Sequence, residues 1–378
     1  MEQIIIIGAG ILGASVAYHL AEQGAKVVVV DRKDKGQATD AAAGIICPWL
    51  SKRRNKAWYA LAKGGASYYP ELIRRLENDG ETETGYRKIG AISLHREMDK
   101  LEKLEALALK RREEAPEIGR VKLLDERETS TLFPPLSEGF SSVYVEGAAR
   151  VDGRALREAL INASKKHGAI YKGGSASLAV EEGNVSGVIV GEELIKSSKV
   201  IVTAGAWAGE LFTPLDLDVQ VTGQKAQIVH LHSDKYETSN SPVIIPPTDQ
   251  YIVPADDGKV IVGATHEDDA LSMFRPTARG IHEVLDKALN VAPGLDEAVF
   301  EEVRVGIRPF TPGSLPVFGE VPGHPDMLFA NGLGASGLTV GPYVGKQLAQ
   351  IALGREVDID VSLYEVKNAF SKTDNRLS

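Results

Sequence analysis

The stretch from Ile4 to Asp31 constrains the fold more than any other part of the chain. Ile4-Ile5-Ile6-Ile7 is a short β-branched run of the kind buried on both faces of a parallel sheet. It leads into Gly8-Ala9-Gly10-Ile11-Leu12-Gly13, and Ala14 to Gln23 then reads as a helix closed by Gly24. Lys26-Val27-Val28-Val29-Val30-Asp31 is a second strand with an acid at its tip. The three turn glycines have distinct physical roles. Gly8 permits the tight turn, Gly10 lets backbone approach a pyrophosphate, and Gly13 lets helix and strand pack closely. The helix N-terminus offers N–H groups and a positive dipole end to phosphates, and Asp31 can accept from a ribose diol. The unit predicts a dinucleotide site and leaves FAD and NAD open.

The same run is apolar enough to be tested as a signal peptide or membrane span. It has no basic flank before it, and His19, Gly8, Gly10 and Gly13 interrupt it. The soluble strand-and-helix reading is preferred, with any membrane contact expected to be peripheral. A chain of 378 residues exceeds what one hydrophobic core usually supports, which predicts two domains or one large domain with an inserted lobe. The net charge of -9 gives no basic field to gather nucleic acid or an anionic membrane surface. Cys47 is the only cysteine, which excludes an intramolecular disulfide and a cysteine-based zinc cluster and fits a reducing cytoplasm. Its setting, Gly44-Ile45-Ile46-Cys47-Pro48, is that of a packed small hydrophobe.

A second glycine pattern, Gly332-Leu333-Gly334-Ala335-Ser336-Gly337, follows the strand-like Met327 to Asn331 and precedes a helix-like stretch to Ala352. It does not complete a second nucleotide unit, because only a short polar tail follows Gly354 and the Val357 to Val361 segment is at most a short strand. The better reading is a strand-to-helix turn whose N–H groups face an electron-rich atom of the cofactor. In a flavin, that atom is near N1 and O2, where reduction places negative charge.

With both ends read, the chain resembles the D-amino-acid-oxidase superfamily of FAD-dependent amine oxidoreductases, in particular glycine oxidases, D-amino-acid dehydrogenases and monomeric sarcosine oxidases. The resemblance runs in order through Gly36 to Gly44, Ala149 to Leu156, Val200 to Trp207, Tyr251 to Pro254, Val260 to Thr265 and Arg304 to Pro312. It implies an α/β (α+β) fold, a Rossmann-like FAD-binding domain with an inserted antiparallel β-sheet substrate domain. The cofactor domain would comprise residues 1–85, 143–215 and 305–378, and the substrate domain 86–142 and 216–304. The charged stretch Arg96 to Glu114 between them reads as an exposed amphipathic helix, and Ile89 to Leu94 begins a strand.

FAD would be held by Gly8, Ala9, Gly10, Ile11, Leu12, Gly13, Asp31 and Arg32, then by the small-residue loop with Thr39, Ala42, Ala43 and Gly44. Further contacts are implied for Ser177, for Thr203, Ala204, Gly205 and Trp207, and for Gly332, Gly334, Ala335, Ser336, Gly337, Leu338 and Thr339. The sarcosine oxidases link their flavin to a cysteine near the Arg-Pro motif, whereas here Phe310 follows Pro309, so the FAD is expected to be non-covalent.

The resemblance assigns Arg308 as a clamp for a substrate carboxylate and Tyr251 as its hydroxyl partner. A planar guanidinium meets a carboxylate in two parallel hydrogen bonds, which suits it to hold an amino acid while a hydride leaves for flavin N5. The implied reaction oxidises glycine, a D-amino acid or a secondary amino acid to an imine, which water hydrolyses to a 2-oxo acid. A bulkier N-substituted substrate, such as a sugar-modified amino acid, stays open, as does a flavin-binding subunit without turnover of its own. So do a homo-oligomer and the choice between oxidase and dehydrogenase. Arg304, four residues before Arg308, is read as a structural salt bridge, and His19 as packed. His266 could face the pocket. His230 and His232 alternate like a metal pair without a third ligand, so no metal is expected. No Gly-x-Ser-x-Gly elbow points to a hydrolase.

Overall fold

The computed structural model describes residues 3–268 and 274–372, so the ends of the first and last proposed cofactor-domain segments lie outside the described residues. Two large sheets organise them. The first has six strands in the order Val317–Val321, His324–Asn331, Lys199–Val202, Gln3–Ile7, Lys26–Asp31 and Ile170–Gly173. All neighbours are parallel except the first pair. Burial on both faces explains the composition of its central strands: Ile5 and Ile6, next to one another and pointing to opposite faces, are both fully buried. The helix after the glycine turn spans Ile11–Glu22, three residues longer at its N-terminus than the sequence suggests, and is buried from Ile11 to Ala21. It packs against the helices Gly153–Lys166 and Gly337–Ala352.

The second sheet has eight strands: Val299–Phe310, Thr222–His232, Lys259–Gly263, Tyr251–Pro254, Val243–Ile245, Ala91–His95, Ser141–Val145 and Val121–Leu124. Its pairings are antiparallel apart from Val243–Ile245 against Ala91–His95. One face of this sheet carries the helix Ala278–Val291, whose buried side chains join Val229, Leu231 and Val262 in a separate core. The charged segment read as a helix is one, over Met98–Arg112, with Leu101, Leu104 and Ala108 buried and its charges outward. Ser141–Val145 and Val299–Phe310 each run across a boundary suggested by the sequence, so single strands tie the two parts together.

The segment Val357 to Val361 is not a strand. Asp358 instead accepts from Lys346 and Gln347, at 2.8 and 3.1 Å, and a short 3-10 turn starts at Val361. No helix among the described residues is long and apolar enough to cross a membrane.

Candidate active site

A cavity of about 450 Å³ opens where the two sheets meet. On the side of the parallel sheet it is lined by the glycine turn at Gly8 and Gly10, by the small-residue loop around Thr39 and Gly44, and by Asp31, Ser177 and Trp207. Thr203 Oγ1 donates to the carbonyls of Ile7 and Gly8, both at 3.0 Å, and so ties the glycine turn to the neighbouring strand. A Cβ on Gly13 would lie 1.8 Å from the Gly8 carbonyl oxygen, so only glycine lets the helix approach the turn this closely. A Cβ on Gly10 meets nothing nearer than Thr39 Oγ1 at 3.5 Å and would project into open cavity. Ile11 donates its N–H to the same Thr39 hydroxyl at 3.0 Å, and the first helical turn has no acidic side chain and no side-chain cap.

Asp31 stands at the tip of its strand and also braces the turn. Its Oδ2 accepts the Ala9 N–H at 2.6 Å and its Oδ1 accepts the Lys33 N–H at 2.5 Å. Oδ1 also accepts from Gln37 Nε2 at 3.3 Å, and Oδ2 keeps a lone pair for a further donor. Arg32 is engaged by Asp34 and Glu210 at 2.5 and 3.1 Å.

The second glycine turn enters from the far end of the chain. Its helix, Gly337–Ala352, again starts without a side-chain cap, and Gly334, Ala335, Gly337, Leu338 and Thr339 reach the cavity. Thr339 Oγ1 donates to the Ile45 carbonyl at 3.0 Å, linking this helix to the small-residue loop.

The opposite wall comes from the eight-stranded sheet and is made of side chains. Register pairs Gln224 with Arg308, Ala226 with Gly306, and Ile228 with Arg304 and Gly263, and Gly263 with Tyr251. Strand alternation places all of these on one face. The other face serves the core: buried Lys225 pairs with Glu267 at 3.2 Å, and Gln227 bonds to Glu267 and Thr277.

Arg308 and Arg304 share a face and differ in partner. The Arg304 guanidinium is paired with Glu302 Oε1 at 2.6 Å, as the sequence suggested. Arg308 Nη1 donates to the amide oxygen of Gln224 at 3.2 Å, and among the described residues no carboxylate pairs with it. Burial pulls the Arg308 guanidinium below its usual value, opposed by the neighbouring Tyr251. Burial likewise pushes the Tyr251 phenol up, with Arg308 pulling the other way. His266, which could have faced the pocket, is not among the residues lining the cavity; it is exposed, with Nδ1 3.8 Å from Asp249 Oδ2, and burial and then Arg308 lower its pKa.

All site residues singled out from the sequence line this cavity except Ala9, Gly13, Gly332 and Ser336. Those four support the turns. Besides the Ala9 and Gly13 contacts above, a Cβ on Gly332 would lie 1.9 Å from Thr311 Oγ1, and Ser336 Oγ accepts from Trp58 Nε1 at 3.0 Å. Sequence reading missed Gln37, which bridges Asp31 and Arg157, and Asn331, which donates to the Gly205 carbonyl at 2.8 Å. It also missed Gln224. Gln37 and Asn331 lie within stretches read from the sequence, Gly36 to Gly44 and Met327 to Asn331, but were not singled out there; Gln224 belongs to no motif, and only the long-range register brings it beside Arg308.

The other reactive groups lie elsewhere. His19 is buried between the Ser15 carbonyl and the Tyr68 hydroxyl, each at 2.6 Å. Burial pushes the Cys47 thiol up to about 12, which leaves it protonated. Among the described residues no group of His, Cys, Asp and Glu could hold a metal ion.

The residues present fit a dinucleotide. Gly10 leaves a cradle that a Cβ would fill, an uncapped helix N-terminus faces it, and a strand-tip carboxylate flanks it. A second uncapped helix start serves the other end.

Comparison with known proteins agrees. The model of the FAD dependent oxidoreductase family matches residues 3–351. An uncharacterized oxidoreductase of Bacillus subtilis strain 168, YurR, is 55% identical over 98% of this chain and 100% of its own. A glycine oxidase of Pseudomonas putida is 28% identical over 96% of this chain and 98% of its own. Among solved structures, the iminodiacetate oxidase of Chelativorans sp. BNC1 superposes with a TM-score of 0.93 at 41% identity, covering 96% of this chain and 98% of that one.

Proposed function

The chain belongs to the FAD dependent oxidoreductase family, and we propose that it oxidises the C–N bond of a small amino acid gripped by its carboxylate on Arg308. The observation that carries this reading is the pairing state of that arginine: a half-buried cation on the cavity wall whose partners among the described residues are neutral, the Gln224 amide and the Tyr251 hydroxyl. A carboxylate entering the cavity provides the countercharge in a two-point contact. Tyr251 adds a hydroxyl donor beside it and, with its phenol pushed up by burial, stays protonated at neutral pH.

FAD, once bound, supplies the acceptor for the hydride that leaves the carbon beside nitrogen. Gly8, Gly10, Ile11, Leu12, Asp31, the Thr39 to Gly44 loop, Ser177 and the Thr203 to Trp207 turn would hold it from one side, and Gly334 to Thr339 from the other. Fixing the substrate on Arg308 limits its rotation and sets which carbon faces the acceptor, a contribution worth several kcal/mol in oriented reactions. The resulting imine takes up water and separates into a 2-oxo acid and an amine. The lone cysteine supports a cytoplasmic setting for this chemistry.

Glycine, D-amino acids and secondary amino acids all carry the required carboxylate. A second reading, an N-carboxyalkyl amino acid of the iminodiacetate kind, is favoured by the 41% identity to an iminodiacetate oxidase against 28% to a glycine oxidase. The test is anaerobic mixing of the FAD-loaded protein with glycine, sarcosine, D-alanine, proline and iminodiacetate, alongside methylamine and dimethylamine. We expect at least one amino acid to bleach the flavin and the amines lacking a carboxylate to leave it yellow. Equal bleaching by dimethylamine would overturn the carboxylate grip.

A further inference from the structure

We propose that Gln224 is a positioning residue: its amide holds the Arg308 guanidinium in place and stands between it and the neighbouring Asp268 carboxylate, so that the substrate supplies the countercharge. The inference rests on the reading of Arg308 given above. Gln224 and Arg308 are register partners on adjacent strands, and the bridge between Lys225 and Glu267 carries Asp268 alongside Gln224. The amide oxygen accepts from Arg308 Nη1 at 3.2 Å, and the amide nitrogen donates to Asp268 Oδ1 at 2.8 Å. Only this orientation of the amide satisfies both neighbours, since the reverse would set N–H against N–H and oxygen against oxygen.

Gln224 is thus a neutral spacer between a cation and an anion. It passes on some of the Asp268 field through a polarised hydrogen bond and prevents a direct ion pair. Arg304, four residues away on the same strand, shows the alternative: with Glu302 at 2.6 Å its charge is already met within the protein. An acid at position 224 would do the same to Arg308.

The experiment compares FAD-loaded wild type, Gln224→Glu and Gln224→Met, with acetate as a carboxylate probe that cannot be oxidised. Acetate binding is read from the shift in flavin absorbance, and kcat and KM are measured with the best amino acid. Gln224→Glu is expected to weaken acetate and raise KM by about tenfold or more, with kcat within about threefold and Tm equal to or above wild type. Gln224→Met, which loses the amide hydrogen bond and adds no countercharge, is expected to weaken acetate by only about threefold. Equal weakening in both variants, or wild-type acetate binding in either, overturns the proposal. Wild-type acetate binding in Arg308→Lys would instead overturn the reading of Arg308 itself.

Discussion

On one side of the cavity stand two glycine turns, with Gly8 and Gly10 and with Gly334 and Gly337, each leading into a helix that starts without a side-chain cap; on the other stand Arg308 and Tyr251. In the proposed function the first, a backbone wall on the parallel sheet, would hold phosphate and flavin through its glycine turns and helix N-termini. The side-chain wall belongs to the antiparallel sheet and, in the proposed function, would hold a substrate through a few groups set by strand register. The proposed function therefore makes cofactor choice and substrate choice separable. Substitutions on the first wall should abolish FAD binding, and those on the second should leave the protein yellow and change what it oxidises.

The largest expected effect lies on the backbone wall. Gly13→Val places a branched side chain where even a Cβ would lie 1.8 Å from the Gly8 carbonyl oxygen. The cost is about 3 kcal/mol or more, and the purified protein should be colourless, as absorbance at the flavin band checks directly. A yellow Gly13→Val protein would break the division between the walls.

On the side-chain wall, Tyr251→Phe should retain FAD and raise KM by about tenfold with kcat within about threefold, the loss of one hydrogen bond to a charged group. Because burial pushes the Tyr251 phenol above its ordinary value, the wild-type KM should show no tyrosine ionisation at neutral or mildly alkaline pH. A KM that rises through mildly alkaline pH in wild type and not in Tyr251→Phe would contradict this.

Each wall also rests on a buried neutral histidine. Burial lowers His19, in the first helix, to about 3 and His230, on the antiparallel sheet, to about 4. The unfolded chain binds protons on both below about pH 6.5, where the folded chain does not. Their contribution is present above that pH and lost as pH falls, at about 1.4 kcal/mol per pH unit for each where only the unfolded form is protonated. Urea denaturation between pH 7 and 4.5 should show declining stability, and His19→Gln should flatten the decline. An unchanged slope would show that His19 does not contribute to it.

The smallest expected effect is Arg304→Gln. Its ion pair with Glu302 is partly exposed, so stability should fall by about 1 kcal/mol or less and kcat/KM should stay within about threefold of wild type.

The same division explains what could be read from the sequence. The cofactor wall was legible because its chemistry is local: Gly8 to Gly13, the strand-tip Asp31 and the turn at Gly332 to Gly337 each announce themselves within a few residues. The four residues that do not reach the cavity failed on a finer point. Glycine spacing cannot tell the glycine that faces the ligand, Gly10, from those that let the chain pack, Gly13 and Gly332. The substrate wall was legible only at Arg308 and Tyr251, through resemblance. Gln224 lies far from both in sequence and meets Arg308 through the register of two long strands, which no local pattern encodes. The short segment at Val357 to Val361 alternates like a strand, yet Asp358 finds its partners on the preceding helix and no strand forms there.

The proposed function turns on Arg308 being the cation that meets the carboxylate. The direct measurement is the anaerobic rate of flavin reduction against substrate concentration in wild type, Arg308→Ala and Arg304→Gln, all FAD-loaded, using whichever amino acid reduces wild type fastest. Arg308→Ala should keep its FAD and lose about 1,000-fold in the second-order rate of reduction, while Arg304→Gln stays within about threefold. If Arg308→Ala is reduced as fast as wild type, the carboxylate is held elsewhere and the substrate wall described here is not the one that works.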